Sequence, residues 1–579
     1  MAARRLCQSV GGLRPSHEAL GGASGFGGRH RTATWRYHVF GHALGTASGT
    51  KGLCSSLSWG EGSGPSKAGN AKVCVVGSGP AGIYCAQSVA KKLSQAKPGL
   101  GVRIDVIDRR PIPGGLARYG VAPDHAPSVS AVLETIDNFL GGGNVRFFGN
   151  VQVKSGGSGD VHLDELRSMY DAIVLAHGAD DPNWLGIAGE GRLKGKGVMT
   201  ARELVALYCG DPMMEKDFYG GFGVGPKYPK VEDVVVVGAG NVALDVSRLL
   251  LTSPESLVAE TNTSKRFIDL LSSESSPLSG IKRVHILARR GPRAAAFAPK
   301  ELREVLQKRE EHFVSRIRVP AQGGGEDGGR AGSIGPFEES AGLTKVATRM
   351  QKRVFKLLRD HHSKDSGEVR EDAPGKELFI HFLHKPVEFV GAEHLSAVHV
   401  ELQRETLVDD QALEVGPIDG AAKVELPAQL AIIAASQRSI GVDGIPPGRA
   451  SHEGREGSPR ALDRDVISDT SGNKTLAPVY FCGWANHGAK GIIGASMVDA
   501  DEVSRVIVDD MVSSEGGEGP PGEALDLMEV LSERGVQVVG MAQWKAVREE
   551  ERRRGQACGR AMEKLTRVEE ILGLAQSLK

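Results

Sequence analysis

The sequence lacks an excess of charge of either sign, and it lacks long apolar runs. Lys plus Arg and Asp plus Glu each total 71 among the 579 residues. No overall field therefore favours nucleic acid or an anionic membrane, and a charged partner must meet a local patch. No apolar run approaches the roughly 20 residues that a membrane-spanning helix needs. We expect a soluble protein of two packed domains, with no nucleic-acid partner and at most peripheral membrane contact.

Cysteine is scarce and widely spaced. The chain has seven cysteines, with no C-x-x-C pair and no histidine cluster at metal-ligand spacing. This pattern argues against a bound iron–sulfur cluster, a zinc site and a disulfide framework, so no metal is expected. The cysteines are Cys7, Cys54, Cys74, Cys85, Cys209, Cys482 and Cys558.

Acidic residues are nearly missing from the first 70 residues, where only Glu18 and Glu61 occur. The same segment is rich in Gly, Ser, Ala and Arg and contains no apolar signal core. A basic, acid-poor, hydroxyl-rich leader is typical of an organelle transit peptide. We expect residues 1–70 to direct the protein to the mitochondrial matrix. A plastid address and a disordered tail without a function are the alternatives.

A first dinucleotide-binding fingerprint follows this leader. The apolar strand KVCVV leads into GSGPAG, which carries Gly77, Gly79 and Gly82, and then into a helix-like stretch. Glycines between a buried strand and a helix N-terminus let backbone N–H groups hold a pyrophosphate. A second strand, RIDVI, ends in Asp108, whose carboxylate can accept hydrogen bonds from a ribose diol. A plain glycine turn is the alternative.

The same pattern recurs at DVVVVGAGNVALD, where Gly238, Gly240 and Ala243 occupy the fingerprint positions. Its later strand, VHILA, ends in Arg289 and Arg290 rather than in an acid. An acid there would repel a 2′-phosphate, whereas two guanidiniums can hold it by charge-assisted hydrogen bonds. The second nucleotide is therefore predicted to be NADP(H). The alternative is that the arginine pair merely ends a strand.

Three further motifs accompany the two fingerprints. They are GGLARYGVAPDH at Gly114–His125, RRGPRAAAFAPKELRE at Arg289–Glu304 and GWANHGAKGIIG at Gly483–Gly494. In this order, from about Ala71 to near the C-terminus, the motifs closely resemble the adrenodoxin reductase family of ferredoxin–NADP reductases. The resemblance implies an α/β protein with two Rossmann-like dinucleotide-binding domains, one for FAD and one for NADP. It also implies hydride transfer from NADPH to FAD, followed by single-electron transfer to a ferredoxin.

Site residues carried over from the family match positions of this sequence. Besides the fingerprint glycines, the resemblance implies FAD contacts at Ala81, Asp108, Leu116, Val153, Trp484, Gly491, Ile492 and Ile493. For NADP(H) it implies Ala239, Gly240, Asn241, Val242, Arg289, Arg290, Glu301 and Gly491. It also places His125 and Asp245 near the flavin, as candidate catalytic residues without an assigned role as acid or base.

An acidic [2Fe–2S] ferredoxin is the electron acceptor that the resemblance implies, docked on a basic face of the NADP domain. The later destination, iron–sulfur cluster assembly or a cytochrome P450, stays open. Basic residues recur at helical spacing in TRMQKRVFKLLRD. An ordinary solvated helix face is the alternative. The candidate docking residues are Arg303, Arg349, Lys352, Arg353 and Lys356.

Two other functions remain open. An NADPH diaphorase would pass electrons to a quinone or another small molecule, and a non-catalytic flavoprotein would keep the fold for partner binding. Disulfide reductases share the architecture but need a close redox-active cysteine pair. Glutamate synthase small subunits share the twin fingerprints but carry cysteine runs for iron–sulfur clusters. Because the sequence has neither feature, electrons are expected to leave through an external partner.

We expect a discontinuous FAD domain, formed by residues 71–180 and by 425–579 with a helical C-terminal extension. The NADP domain, residues 181–424, is expected to lie between them. The glycine-rich segment 322–335 is expected to be a flexible insertion. One departure from the family follows Gly441. Where the family continues S-I-G with Y-K-S, this chain has Val442 and Asp443, and we expect cofactor binding to survive with altered activity.

Overall fold

In the computed structural model, the described residues run from 71 to 578 with internal gaps. The gaps are 155–158, 215–227, 308–310, 321–336, 338–347, 365–374, 410–411, 443–444, 446–458, 464, 470–471, 490, 492 and 514–524. The predicted transit peptide and glycine-rich insertion, together with Ile492 and Asp443, lie outside the described residues.

Helices and strands alternate along most of the described chain. Short 3-10 turns occur at Pro123–His125, Pro212–Met214, Pro277–Gly280 and Pro292–Ala294. The α-helices are Pro80–Ala96, Gly115–Tyr119, Ala126–Leu140, Leu163–Met169, Glu190–Leu193, Ala201–Cys209, Asn241–Leu251, Pro254–Glu260, Lys265–Ser272, Pro299–Gln307, Arg349–His362, Trp484–His487, Ile493–Ser513, Leu527–Glu533, Met541–Ala557 and Val568–Gln576.

The first sheet has six strands and carries the first fingerprint. Its strand order is Arg460–Leu462, Val479–Phe481, Ala172–Leu175, Ala71–Val76, Val102–Asp108 and Val145–Gly149. All neighbours pair in parallel except the first two. Strand Ala71–Val76 is buried except at Lys72, which explains its apolar run VCVV. Helices Pro80–Ala96 and Ile493–Ser513 pack together on one face.

The second sheet also has six strands and carries the second fingerprint. Its strand order is Val198–Thr200, Leu430–Ile433, Asp233–Val237, Arg283–Ala288, Glu377–Phe382 and Val314–Arg318, all paired in parallel. One face is covered by helices that include Asn241–Leu251 and Pro299–Gln307. The other face packs against an antiparallel sheet of His384–Val390, Ala397–Asp409, Ala412–Pro417 and Val424–Pro427.

Two small antiparallel ribbons complete the strands. Asp181–Pro182 pairs with Gln437–Arg438, and Asp465–Asp469 pairs with Gly472–Leu476. The first ribbon joins the two points where the chain passes between the large sheets. No helix among the described residues combines the length and the apolar character needed to cross a bilayer.

The α/β class with two dinucleotide-binding sheets is confirmed. The division into segments at 180 and 424 stays a prediction, with one difference at its second boundary. Strand Leu430–Ile433 lies beyond residue 424 but pairs with Asp233–Val237 in the second sheet. Its apolar sequence suits a central strand of either sheet, so composition did not assign it. We propose that the boundary lies at the Gln437–Arg438 ribbon.

Candidate functional site: two nucleotide cradles

Three glycines shape the first cradle, the turn from Ala71–Val76 into helix Pro80–Ala96. Gly77 has φ +117°, and a Cβ there would lie 2.3 Å from the Ala176 carbonyl oxygen. A Cβ on Gly82 would lie 2.1 Å from the Gly77 carbonyl oxygen. At Gly79, by contrast, the nearest atom to such a Cβ is 3.9 Å away. Gly77 and Gly82 therefore permit close packing, and Gly79 leaves space above the helix N-terminus for a phosphate.

Asp108 is buried at the mouth of this cradle. Its Oδ2 accepts hydrogen bonds from the Ser78 backbone N–H at 2.9 Å and from the Ser78 hydroxyl at 2.5 Å. Its Oδ1 accepts from the Arg110 backbone N–H at 2.9 Å. The carboxylate is thus held directly beside the glycine turn, where a ribose would lie. The sequence patterns did not single out Ser78, because its partner is 30 residues away.

The GGLARYG motif closes one side of the first cradle. The Gly114 N–H donates to the Ser78 carbonyl oxygen at 3.2 Å. A Cβ on Gly115 would lie 3.0 Å from the Gly79 Cα. Helix Gly115–Tyr119, which carries the half-buried Leu116, therefore begins against the phosphate-binding turn.

A cavity of about 300 Å³ opens beside the end of the Asp108 strand. Gln152 lines this cavity, and the next residue, Val153, is half-buried against the first-sheet core. The cavity lies at the flank of the first cradle, and its lining does not include the Gly77–Gly82 turn. The lining residues are Arg109, Asn150, Gln152, Asp160, Met213, Val536 and Gln537.

The GWANHG motif reaches the first cradle from the other end of the chain. A Cβ on Gly483 would lie 2.4 Å from the Ala81 Cβ, so Trp484 follows a residue in contact with the fingerprint. Asp499 anchors this turn by accepting from the Gly483 N–H at 2.5 Å and from Asn486 Nδ2 at 2.8 Å. Gly491 has φ +85°, and the helix that carries Asp499 begins at Ile493. Motif matching did not find Asp499.

The second cradle repeats the first with looser packing. Gly238 has φ +135°, and a Cβ there would lie 2.5 Å from the Ala434 carbonyl oxygen. Around Gly240 the space within 4 Å of such a Cβ is open. Asn241 Oδ1 accepts from the Ala298 N–H at 2.6 Å and ties the turn to the following loop. Ala239 is half-buried and Val242 is exposed at the helix start, so both are placed beside a nucleotide approaching the turn.

Arg289 and Arg290 lie exposed at the end of strand Arg283–Ala288. The turn after them is held by Glu405, whose Oε1 accepts from the Gly291 N–H at 2.8 Å. Glu405 Oε2 also pairs with Arg293 at 3.4 Å. Burial raises the pKa of Glu405. Glu405 therefore fixes the turn that follows Arg289 and Arg290, a role that the sequence patterns did not indicate.

Replacing Glu405 by leucine is expected to raise the KM for NADPH about 3–10-fold while leaving kcat near the wild-type value. The substitution leaves the buried Gly291 N–H without its acceptor, at a cost of about 1–3 kcal/mol, and frees the arginine turn. Glu405→Gln keeps an acceptor oxygen and serves as the control, with a KM near wild type. Steady-state kinetics check this, and an equal KM for Glu405→Leu and wild type would remove Glu405 from this role.

Glu301 lies half-buried on helix Pro299–Gln307, near enough to Asp245 to act on its charge. Its Oε2 is a buried oxygen for which the described residues offer no hydrogen-bond donor. A ribose hydroxyl is a donor of the kind this oxygen lacks. Together with the open space at Gly79 and Gly240, this oxygen shows that the residues present fit two dinucleotides.

His125 and Asp245 belong to one ionic cluster between the cradles. His125 Nε2 lies 2.7 Å from Glu304 Oε2, and Arg248 bridges Glu304 at 3.1 Å, Asp245 at 2.8 Å and Asp124 at 3.1 Å. The hydrogen bond with Glu304 raises the pKa of His125. Burial raises the pKa of Asp245 to about 6. The sequence patterns did not indicate Arg248 or Glu304, because the contacts of both with the Pro123–His125 turn and with each other join separate elements.

The His125–Glu304 pair is expected to make stability depend on pH. Because the pKa of His125 is raised, its contribution is fully present below its ordinary pKa and is lost as pH rises through the folded-state value. His125→Gln should therefore lower Tm by about 1–3 °C at pH 5.5, and less at pH 9. Glu304→Gln should show the same trend. Thermal unfolding from pH 5.5 to pH 9 checks this expectation. A loss of Tm that becomes larger as the pH rises would contradict it.

The candidate docking residues are all exposed, on two helices that pack together. Arg349, Lys352, Arg353 and Lys356 are exposed on helix Arg349–His362, which buries Val354 and Leu358. This helix packs against Pro299–Gln307, where Arg303 is also exposed. We call these five residues the basic face.

Comparison with known proteins places this geometry in a family. The family model described as pyridine nucleotide-disulphide oxidoreductase matches residues 71–314. The mitochondrial NADPH:adrenodoxin oxidoreductase of Arabidopsis thaliana is 31% identical over 513 residues, covering 87% of this chain and 95% of the relative. The human protein of that name is also 31% identical, covering 87% and 91%. The chain belongs to the adrenodoxin reductase family.

Bacterial members of the adrenodoxin reductase family agree with this assignment. The NADPH-ferredoxin reductase FprA of Mycobacterium leprae is 31% identical, covering 86% of this chain and 97% of the relative. The solved structure of Mycobacterium tuberculosis FprA in complex with NADPH has a TM-score of 0.70 and 26% identity, covering 88% of this chain and all of that one. The predicted resemblance is confirmed, and the individual site residues stay predictions.

Proposed function

We propose that this chain is an FAD-dependent NADPH:ferredoxin oxidoreductase. The observation that carries the proposal is the pair of cradles in one polypeptide. The first ends in the buried Asp108, and the second ends in the exposed Arg289 and Arg290. Membership of the adrenodoxin reductase family supports the same activity, since relatives are named for oxidation of NADPH and reduction of adrenodoxin or ferredoxin.

FAD, when bound, supplies the chemistry that accepts hydride and releases electrons singly. The chain supplies alignment and electrostatics. The Gly77–Gly82 turn and its helix N-terminus bind the pyrophosphate, and Asp108 accepts hydrogen bonds from the ribose. At the other cradle, Arg289 and Arg290 bind the 2′-phosphate, while Glu301 accepts a hydrogen bond from a ribose hydroxyl. An ionic cluster fixes the part of the chain that carries the first cradle relative to the part that carries the second. Its members are His125, Asp245, Arg248 and Glu304.

The proposed electron acceptor is an acidic [2Fe–2S] ferredoxin that docks on the basic face. Four exposed cations on one helix, with Arg303 on the helix packed against it, supply a local positive field on a chain without net charge. Such a field steers an acidic partner and raises the association rate at low salt.

Cytochrome c reduction with and without added ferredoxin tests the proposal. We expect NADPH-dependent turnover that requires ferredoxin and that weakens as salt is raised. Reduction at full rate without ferredoxin would favour the diaphorase, and no reduction of the flavin by NADPH would favour the scaffold.

Lys352→Glu with Arg353→Glu should raise the KM for ferredoxin about tenfold or more. Lys545→Glu, an exposed change on helix Met541–Ala557, is the matched control.

We also propose a mitochondrial location. The eukaryotic relatives compared above are named as mitochondrial proteins, and residues 1–70 have the basic, acid-poor composition of a transit peptide. A fusion of residues 1–70 to a fluorescent protein is expected to enter mitochondria. Retention of the fusion in the cytosol, or its import into plastids, would contradict this location.

A further inference from the structure

Helix Met541–Ala557, in the C-terminal extension, packs against the flank of the first cradle. Trp544 Nε1 donates to Asp137 Oδ1 at 2.8 Å, which ties the helix to Ala126–Leu140. The Arg118 guanidinium lies 4.9 Å from the centre of the Trp544 ring. The extension therefore reaches the GGLARYG motif directly.

A buried ion pair fixes this contact. Glu551 is fully buried, and both of its carboxylate oxygens lie 2.7 Å from an Arg118 guanidinium nitrogen. Oε1 also accepts from the Leu565 N–H at 3.0 Å, and Arg118 Nε donates to the Tyr119 hydroxyl at 3.0 Å. A buried pair of this kind is costly to break, because removal of one partner leaves the other charge uncompensated.

Lys564 joins the same pair to the second sheet's helices. Its ammonium donates to the Arg118 carbonyl oxygen at 3.1 Å and to the Cys209 carbonyl oxygen at 2.9 Å, at the end of helix Ala201–Cys209. Burial lowers the pKa of Lys564. Four residues earlier, Arg560 donates to the carbonyl oxygen of Thr261 at 3.2 Å. The segment 541–565 thus contacts both the flank of the first cradle and the helices of the second sheet. We call this segment the C-terminal strap.

The path from the strap to the FAD cradle is short. Arg118 lies one turn into helix Gly115–Tyr119, whose start contacts the phosphate-binding turn. There the Gly114 N–H donates to the Ser78 carbonyl oxygen, and a Cβ on Gly115 would make a tight contact of 3.0 Å with the Gly79 Cα. Any shift of Arg118 therefore moves a wall of the first cradle.

We propose that Glu551 is a positioning residue for FAD, acting through Arg118. By fixing Arg118, it holds helix Gly115–Tyr119 against the Gly77–Gly82 turn, and Lys564 fixes the same residue through its carbonyl oxygen. The inference rests on the proposed function, since it requires FAD in the first cradle. It extends that function by giving the C-terminal strap a role in flavin affinity.

FAD titration of flavin-free protein, followed by flavin fluorescence, tests the inference. Glu551→Gln should raise the Kd for FAD at least about tenfold, and Lys564→Met should raise it by a smaller factor. If Glu551→Gln does not yield folded protein, Lys564→Met alone decides the test.

Two control variants separate positioning from general stability. Ile571→Ala opens a cavity in the small core that Trp544 and Leu565 share, and it should lower Tm without changing the Kd for FAD. Glu549→Gln changes an exposed carboxylate on the strap helix and should change neither quantity. An Ile571→Ala protein that loses FAD as strongly as Glu551→Gln would overturn the inference, as would a wild-type Kd for both strap variants. Failure of the wild-type protein itself to bind FAD would instead refute the proposed function.

Discussion

Replacing Arg289 and Arg290 together by alanine is expected to lower kcat/KM for NADPH by about two to four orders of magnitude. Each guanidinium offers charge-assisted hydrogen bonds worth about 1.5–3 kcal/mol to the 2′-phosphate, and about 1.4 kcal/mol corresponds to a factor of ten. The loss should fall mainly on KM, because the phosphate lies far from the reacting carbon and is bound equally in ground and transition states.

NADH provides the internal control for the arginine pair. It lacks the 2′-phosphate, so the double variant should use NADH as well as the wild-type protein does or slightly better. The FAD content should not change, since Arg289 and Arg290 end a strand of the second sheet. A variant that lost NADPH and NADH activity by the same factor would show that the two arginines support the fold rather than select the nucleotide.

Gly82→Val is expected to yield protein that is purified without flavin. A Cβ at this position would lie 2.1 Å from the Gly77 carbonyl oxygen and 3.1 Å from Val75 Cγ1. The nearest atom belongs to the backbone of the phosphate-binding turn, so the turn itself must open. Overpacking of this kind costs about 3 kcal/mol, which corresponds to FAD binding weaker by about two orders of magnitude.

Gly143→Val is the matched control for this substitution. A Cβ on Gly143 would have open space within 4 Å, and the residue lies in the turn before strand Val145–Gly149. The control should retain flavin and a wild-type Tm. Absorbance of the purified proteins and FAD titration measure the difference. A yellow Gly82→Val protein with wild-type affinity would contradict the role assigned to the close approach of Gly82 and Gly77.

The cradles could be predicted because their signals are local. A strand, a glycine turn and a helix occupy about 30 consecutive residues. The close contact of Gly82 with Gly77 falls within the same turn. The charge at the end of the second strand is equally local, since Arg289 and Arg290 follow it directly. These features depend on spacing, which a single sequence displays.

The supporting residues could not be predicted, because their partners are distant in the chain. Asp499 holds the Gly483 turn from a later helix, Glu405 reaches the Gly291 N–H across 114 residues, and Glu551 reaches Arg118 across 433. A buried carboxylate leaves no periodic pattern in a sequence. The boundary at residue 424 differed from the strand pairing for a similar reason, since an apolar run such as Leu430–Ile433 fits either sheet.

The anaerobic titration of FAD-loaded protein with NADPH and NADH tests the two-cradle assignment most directly. We expect NADPH to bleach the visible flavin absorbance at near-stoichiometric concentration, and NADH to need a concentration at least about a hundredfold higher, as the loss of two charge-assisted contacts requires. Equal reduction by the two nucleotides, or a chain that takes up no FAD, would contradict it.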